Sequence, residues 1–135
     1  MVIFHPKNKR LHRFFFKYVA LTTLIYLILS VPSHANPILL VLGDSLSAAY
    51  QIPPEDGWVS LLEDRLKKTY PDAVVINSSI VGDTTANGLE RLPGLLEKHH
   101  PTIVIIELGG NDGLRGLSVK AIQDNLNKMI SLSLG

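Results

Sequence analysis

The sequence has 135 residues, with 13 Lys or Arg against 12 Asp or Glu and a formal net charge of +1. This length favours a single domain. The chain contains no cysteine, which excludes disulfides, thiolate metal ligands and a cysteine nucleophile. No basic stripe with interleaved aromatic residues occurs after residue 35, so no nucleic-acid partner is expected.

Charge is unevenly distributed along the chain. Five basic residues lie within the first 17 positions, and the first acidic residue is Asp44. An uncharged apolar run covers 18–31, and small residues follow at Ser33 and Ala35. A basic start, a short apolar stretch and a small-x-small site are typical of a secretory signal peptide. We therefore predict a signal peptide over 1–35, with cleavage near Ala35, export to the periplasm or medium, and membrane contact only during export.

The alternative is an uncleaved membrane anchor. The apolar run has about 14 residues, whereas a spanning helix needs ~20, and Lys17 limits its extension. Cleavage is therefore favoured, and residues 36–135 are expected to form the exported domain. That part holds all 12 acidic residues and eight of the basic ones, so it is mildly acidic.

Three short apolar runs are predicted to be strands. They cover Ile38–Leu42, Ala73–Ile76 and Thr102–Ile106. Each is rich in aliphatic or β-branched residues and is bounded by Gly or Asn, which is typical of strands buried on both faces of a parallel sheet.

Helical patterns alternate with these strands. Apolar residues recur at three- and four-residue spacing within 58–66, 89–96 and 122–130. The resulting order β-α-β-α-β-α predicts an α/β fold with a parallel sheet and helices on both faces.

The sequence also predicts details of these helices. Thr84 or Thr85 is expected to cap the second helix, and the third is expected to begin at about Ser118. Pro93-Gly94 should kink or restart the second helix, because proline removes a backbone donor.

Small and polar residues follow each predicted strand at its carboxyl end. They are Gly43-Asp44-Ser45, Gly82-Asp83 and Gly109-Gly110-Asn111-Asp112. Ligands of open α/β sheets bind at this edge. Ser45, Gly82 and Asn111 are therefore expected to converge on one site.

Each of these three strand-end segments, called corners below, offers one part of an acyl-transfer site. Ser45 would present a hydroxyl nucleophile on the turn that Gly43 permits. Gly82 would offer a backbone N–H to an anion at a helix start, and Asn111 a neutral amide donor. Taken singly, each is as well explained by an ordinary turn or a helix cap. Their recurrence at three successive strand ends favours the functional interpretation.

Other chemistries find no support. The sequence has no P-loop, no dinucleotide-binding glycine pattern and no H-E-x-x-H zinc motif. It also lacks the G-x-S-x-G nucleophile elbow, because Ser47 stands where the second glycine would be. The pair His99-His100 lies between a helix and a strand, at the edge opposite the predicted site. We expect no metal and no cofactor.

The segments GDSLSAAYQI, NSSIVGDTTANGLERLP and ELGGNDGLRG resemble the first three conserved blocks of the SGNH, or GDSL-type, hydrolases. The likeness is strongest to the branch of bacterial periplasmic arylesterases, thioesterases and lysophospholipases, and it covers about Ile38 to Asn127. It implies a flavodoxin-like three-layer α/β/α fold, of which this chain would carry the first β-α-β-α-β-α part.

The resemblance also implies roles for individual residues. Ser45 would be the nucleophile. The backbone N–H groups of Ser45 and Gly82 and the side-chain amide of Asn111 would form the oxyanion hole. Asp44 would brace the nucleophile loop. The segment 113–116, with Gly113 and Leu114, would form a lip that contacts the acyl chain. The substrate would be a small-molecule acyl ester or thioester.

One part of the family pattern is missing. The family completes its triad with a late Asp-x-x-His block, and this sequence has neither that block nor any histidine after His100. One alternative to an active ester hydrolase is therefore a catalytically inactive fragment, and a separate alternative is a carbohydrate deacetylase of the same fold.

Overall fold

The computed structural model describes residues 36–135, so the predicted signal peptide over 1–35 lies outside the described residues. Strands and helices alternate along this part of the chain. The strands are β1 (Ile38–Gly43), β2 (Val74–Asn77) and β3 (Ile103–Glu107); the helices are α1 (Trp58–Thr69), α2 (Thr85–His99), α3 (Gly110–Leu114) and α4 (Val119–Ser133), with a 3-10 turn at Pro54–Asp56.

The three strands form a parallel sheet in the order β2-β1-β3. Leu40 is in register with Ile76 on one side and with Val104 on the other. Because β1 has a partner on each side and cover on each face, residues 39–43 of this strand are buried. The parallel arrangement predicted from the chain order is confirmed.

Helices cover both faces of the sheet. Leu40 and Leu42 pack with Leu92 of α2 and Met129 of α4, and these four side chains are fully buried. Alternation along a strand turns the residues next to Leu40 towards the other face. On that face the indole of Trp58, at the start of α1, reaches the end of the sheet through a hydrogen bond described below.

Helix α2 is not interrupted at Pro93, so the expected restart of the helix there is wrong. Pro93 and Gly94 are exposed, whereas Leu92 is fully buried and Leu89 and Leu96 pack against the same core. An interior proline costs about 3 kcal/mol. Full burial of Leu92 contributes roughly 1.5–3 kcal/mol, and the partly buried Leu89 and Leu96 add to it, so core packing offsets the cost of the proline.

The predicted helix starts are confirmed. Thr84 caps α2 in a capping box, since its hydroxyl accepts from the N–H of Asn87 and its own N–H donates to Asn87 Oδ1. Ser118 caps α4 by accepting from the N–H of Ala121 at 3.2 Å. None of the helices described between residues 36 and 135 combines the length and the apolar character needed to cross a bilayer.

Candidate active site

The amide of Asn111 joins the three strand ends into one site. Its Nδ2 atom donates to Asp44 Oδ2 at 3.0 Å and to the backbone carbonyl of Asp83 at 2.9 Å. Asp44 directly precedes Ser45, and Asp83 directly follows Gly82. The three corners singled out in the sequence therefore meet at the carboxyl edge of the sheet.

Ser45 lies on a tight turn that follows β1. It is half-buried, and its carbonyl accepts from the N–H of Tyr50 at 3.1 Å, while the carbonyl of Asp44 accepts from that of Ala48 at 3.0 Å. Within the described part of the chain, no acceptor is found for the backbone N–H of Ser45. The turn thus leaves a donor beside a serine hydroxyl.

Asp44 is 4% exposed and holds this turn. Its Oδ1 accepts from the N–H of Leu46 at 3.0 Å, which is the local bond that aspartate commonly makes two residues onward. Its Oδ2 accepts from Asn111. One carboxylate therefore restrains both the Ser45 turn and the Asn111 amide.

Gly82 occupies the second corner with a φ of +82°, a left-handed conformation in which glycine avoids the strain of a side chain. Its carbonyl accepts from Arg115 Nη2 at 2.8 Å. Among residues 36–135, the N–H of Gly82 has no acceptor. Arg115 thus ties this corner to the segment that follows α3.

The predicted lip lies at the surface. Gly113 and Leu114 belong to the single helical turn α3 rather than to a loop, and Leu114 is 88% exposed. The N–H of Gly113 donates to the carbonyl of Gly109 at 3.1 Å.

The carboxylate of the residue that follows Asn111 is buried, and sequence reasoning did not single it out. Asp112 is 1% exposed and accepts from the N–H and the hydroxyl of Thr85 at 2.8 and 2.5 Å. Asn125 of α4 donates to the same hydroxyl at 3.1 Å. A carboxylate at the start of α2 also suits the positive end of the helix dipole. The signal in the sequence was the acidic residue beside Asn111, which a turn explained equally well.

Arg91 holds the second corner from α2. Its guanidinium forms an ion pair with Asp83 and donates through Nη1 to the carbonyl of Ser78 at 2.9 Å. Because both partners are largely buried, this pair is screened less than a surface pair. It restrains the loop that carries Gly82.

Ser47 forms a second hydrogen-bonded group below the serine turn. It is 1% exposed, donates from Oγ to Glu107 Oε2 at 2.8 Å and accepts from Trp58 Nε1 at 3.2 Å. Its carbonyl accepts from Asn77 Nδ2 at 2.7 Å. Neither Glu107 nor Trp58 was singled out from the sequence, because nothing local connects them to the serine turn.

The other serines and the histidines lie elsewhere. Ser79 Oγ is buried and has no hydrogen-bond partner within the described residues. His99 ends α2 and His100 follows it, close to the amino end of β3, where Thr102 bonds to Ile38 at the start of β1. A five-residue strand spans roughly 16 Å, so these imidazoles lie far from the serine turn.

No metal centre is evident between residues 36 and 135. No group of three or more His, Cys, Asp or Glu side chains is placed there to hold an ion. The acidic side chains at the site are instead engaged by amide, hydroxyl and guanidinium donors.

The protein has a parallel sheet covered by helices, with Ser45, a buried aspartate and a hydrogen-bonded asparagine at the carboxyl ends of its strands. This arrangement is that of an α/β protein of the SGNH-hydrolase type. The chain belongs to the GDSL-like Lipase/Acylhydrolase family, whose pattern matches residues 41–134. This membership confirms the resemblance read from the three sequence blocks.

Individual relatives carry esterase and thioesterase names. The arylesterase of Vibrio mimicus is 58% identical over 112 residues, which cover 83% of this chain and 56% of the relative. The thioesterase 1/protease 1/lysophospholipase L1 of Escherichia coli K12 is 42% identical over 107 residues, covering 79% of this chain and 50% of the relative. The chain therefore spans about half the length of these curated relatives.

A solved structure confirms the fold. The crystal structure of AlinE4, an SGNH-hydrolase family esterase, superposes with a TM-score of 0.66 at 37% identity, over 72% of this chain and 52% of that one. The predicted SGNH-type α/β fold is thereby confirmed for the part of the domain that this chain spans.

Proposed function

We propose that the protein is a serine hydrolase of acyl esters or thioesters that works through an acyl-enzyme on Ser45. One observation carries the proposal: the Asn111 amide bonds to both Asp44 and Asp83, so that it lies between the nucleophile turn and the Gly82 corner. Membership in an acylhydrolase family supports the same chemistry.

The roles follow from what ester cleavage requires. Ser45 Oγ attacks the carbonyl carbon, its proton passes to a base, and the carbonyl oxygen becomes an oxyanion. The backbone N–H groups of Ser45 and Gly82, which have no acceptor among the described residues, and the Asn111 amide would stabilise that charge. The alcohol or thiol leaves with a proton, and water then releases the acid from Ser45.

The Asn111 amide must change partners to do this. Its Nδ2 atom carries two hydrogens, and both have acceptors in the ligand-free site, namely Asp44 and Asp83. Donation to an oxyanion therefore replaces or shares one of these bonds. The bond to the neutral Asp83 carbonyl is the one expected to be given up. It is the weaker of the two, because hydrogen bonds to a carboxylate are stronger.

The base is not among the described residues near Ser45. His99 and His100 lie at the opposite edge of the sheet, and no histidine follows them in the sequence. The family pattern places the imidazole that serves as base in an Asp-x-x-His block, and residues 36–135 contain no such block. Without it, the same site would bind esters but turn them over poorly, as in the inactive alternative.

The proposed substrates are aryl esters, fatty-acyl esters or thioesters. The names of the Vibrio mimicus and Escherichia coli relatives support this class, and the exposed Leu114 supplies an apolar surface for an acyl chain. The basic and apolar pattern of residues 1–35 supports export of the protein. A carbohydrate deacetylase has no specific support at this site.

Covalent labelling tests the nucleophile. We would join the 135-residue chain to the part of the Vibrio mimicus arylesterase that lies beyond the matched region, and treat this chimera with a fluorophosphonate. Peptide mapping should find the adduct on Ser45 alone, since Ser79 Oγ is buried and Ser78 lies in a loop held by Arg91.

Serine variants provide the matched controls. Ser45→Ala should abolish labelling, whereas Ser78→Ala and Ser60→Ala should leave it unchanged. An adduct on Ser78 or Ser79 that survives Ser45→Ala would refute the assignment.

A further inference from the structure

The hydrogen bonds of Ser47 connect the serine turn to β3 and α1. Ser47 lies two residues after Ser45, and its hydroxyl donates to Glu107 and accepts from Trp58. Its carbonyl is held by Asn77 at the end of β2. The segment that carries Ser45 is therefore held by groups from three separate elements.

Close packing makes this position sensitive. A Cβ atom placed on Gly43 would lie 2.5 Å from Ser47 Oγ and 2.6 Å from Ser47 Cβ. Ser47 thus packs directly on the last residue of β1. No free space separates the Ser47 side chain from Gly43. A shift of that side chain would therefore be transmitted to the turn 44–46, which contains Ser45.

Glu107 is the only charged partner of Ser47 in the described part of the chain. It is the last residue of β3 and is in register with Gly43 of β1. No Lys, Arg or His of residues 36–135 forms an ion pair with it. A half-buried carboxylate without a cation is stabilised by the hydrogen bonds it accepts. The Ser47 hydroxyl supplies such a bond at 2.8 Å.

We propose that Glu107 is a positioning residue for the nucleophile, acting through Ser47, with the Trp58 indole closing the same network. This inference rests on the proposed function of Ser45. The Glu107 carboxylate fixes the direction of the Ser47 hydroxyl. Ser47, held in this way, fixes the conformation of the serine turn. The turn in its place sets the position of Ser45 Oγ relative to the Asn111 and Gly82 donors. Glu107 does not itself contact the reacting atoms.

The contact is tested first on the full 135-residue chain, because Trp58 is its single tryptophan. Both Glu107→Ala and Ser47→Ala should alter the intensity or wavelength of Trp58 emission. Adding Glu107→Ala to Ser47→Ala should cause no further change. Glu90→Ala, on the exposed face of α2, is the matched control and should leave the emission unchanged. An unchanged emission in Glu107→Ala alongside a shifted one in Ser47→Ala would refute the network.

The catalytic consequence is tested in the chimera with the Vibrio mimicus arylesterase. Glu107→Ala and Ser47→Ala should each lower kcat roughly 10- to 100-fold, the scale of a small misplacement of a reacting group. KM should change by less than about threefold, since substrate contacts remain. Glu107→Gln should retain most activity, because its carbonyl oxygen still accepts from Ser47.

Non-additivity separates positioning from a general loss of stability. If Glu107 acts through Ser47, the double variant should be no slower than the slower single variant. Multiplying effects, or a Glu107→Ala enzyme within about twofold of the parent kcat, would overturn the inference. Absence of Ser45 labelling in the parent chimera would instead refute the proposed function, while Trp58 emission still decides the contact.

Discussion

At the residue scale, Asn111 has an observed structural task and a proposed catalytic one. In the ligand-free site its two N–H groups restrain Asp44 and Asp83, and in the proposed reaction one of them stabilises an oxyanion. Such a donor needs little reorganisation if one of its two bonds holds it in place while the other is given up to the oxyanion. The bond to the Asp44 carboxylate supplies that restraint.

Asn111→Ala in the chimera is expected to lower kcat by roughly 10²–10³, the range for losing one oxyanion donor. KM should change little, because the charge develops only in the transition state. Steady-state kinetics on an aryl ester measure both quantities. Asn127→Ala, an exposed position on α4, is the matched control. An effect confined to KM would make Asn111 a binding residue for the ground state.

At the element scale, the two edge strands of the sheet, β2 and β3, differ in how well they are protected against pairing with another strand. Strand β2 has four residues and ends in the polar Asn77, whereas β3 has five, is apolar over 103–106 and carries its only charge at the last residue, Glu107. In the described sheet β3 bonds only to β1, and Ile103 is 49% exposed. An apolar edge strand without lysine or proline is prone to pair with another strand.

Residues 36–135 are therefore expected to self-associate as concentration rises, as measured by size-exclusion chromatography with light scattering. Ile103→Lys should reduce the association, because a charge on an edge strand opposes pairing. Leu61→Lys changes an equally exposed apolar residue on α1 and should have no such effect. A wild-type monomer at all concentrations, with β3 amides protected from hydrogen exchange, would contradict the expectation.

At the scale of the whole molecule, the site is assembled from segments far apart in sequence. Asp44, Asp83 and Asn111 follow three different strands, and only the parallel order β2-β1-β3 brings their loops to one edge. The supporting residues Arg91 and Asp112 come from the helix and turn next to those loops. The described residues thus contain the nucleophile side of the proposed site and its oxyanion donors.

The 135-residue chain by itself should hydrolyse an aryl ester far more slowly than the chimera. No imidazole of residues 36–135 lies near Ser45, so the Ser45 hydroxyl is expected to keep its proton and remain a weak nucleophile. Oxyanion donors alone leave enzymes that lack triad residues about 10³–10⁴ above the rate in water. Release of p-nitrophenol measures the rate, with Ser45→Ala as the background in each protein. Equal rates for chain and chimera would require another base, and His99 or His100 would need to be reconsidered.

The sequence by itself determined the alternation of strands and helices, the caps at Thr84 and Ser118, and the corners that carry Ser45, Gly82 and Asn111. These features depend on local periodicity, on capping chemistry and on the residue types that end strands, all of which short segments contain.

Only the tertiary structure decided the remaining features. Pro93 stays within α2 because leucines on both sides of it pack against the core and offset its local cost. Asp112 meets Thr85, and Glu107 meets Ser47 across 60 positions of sequence. Such contacts between residues distant in sequence arise from strand order and register, which no local pattern encodes, so the groups that hold the candidate site could not be identified before the fold was known.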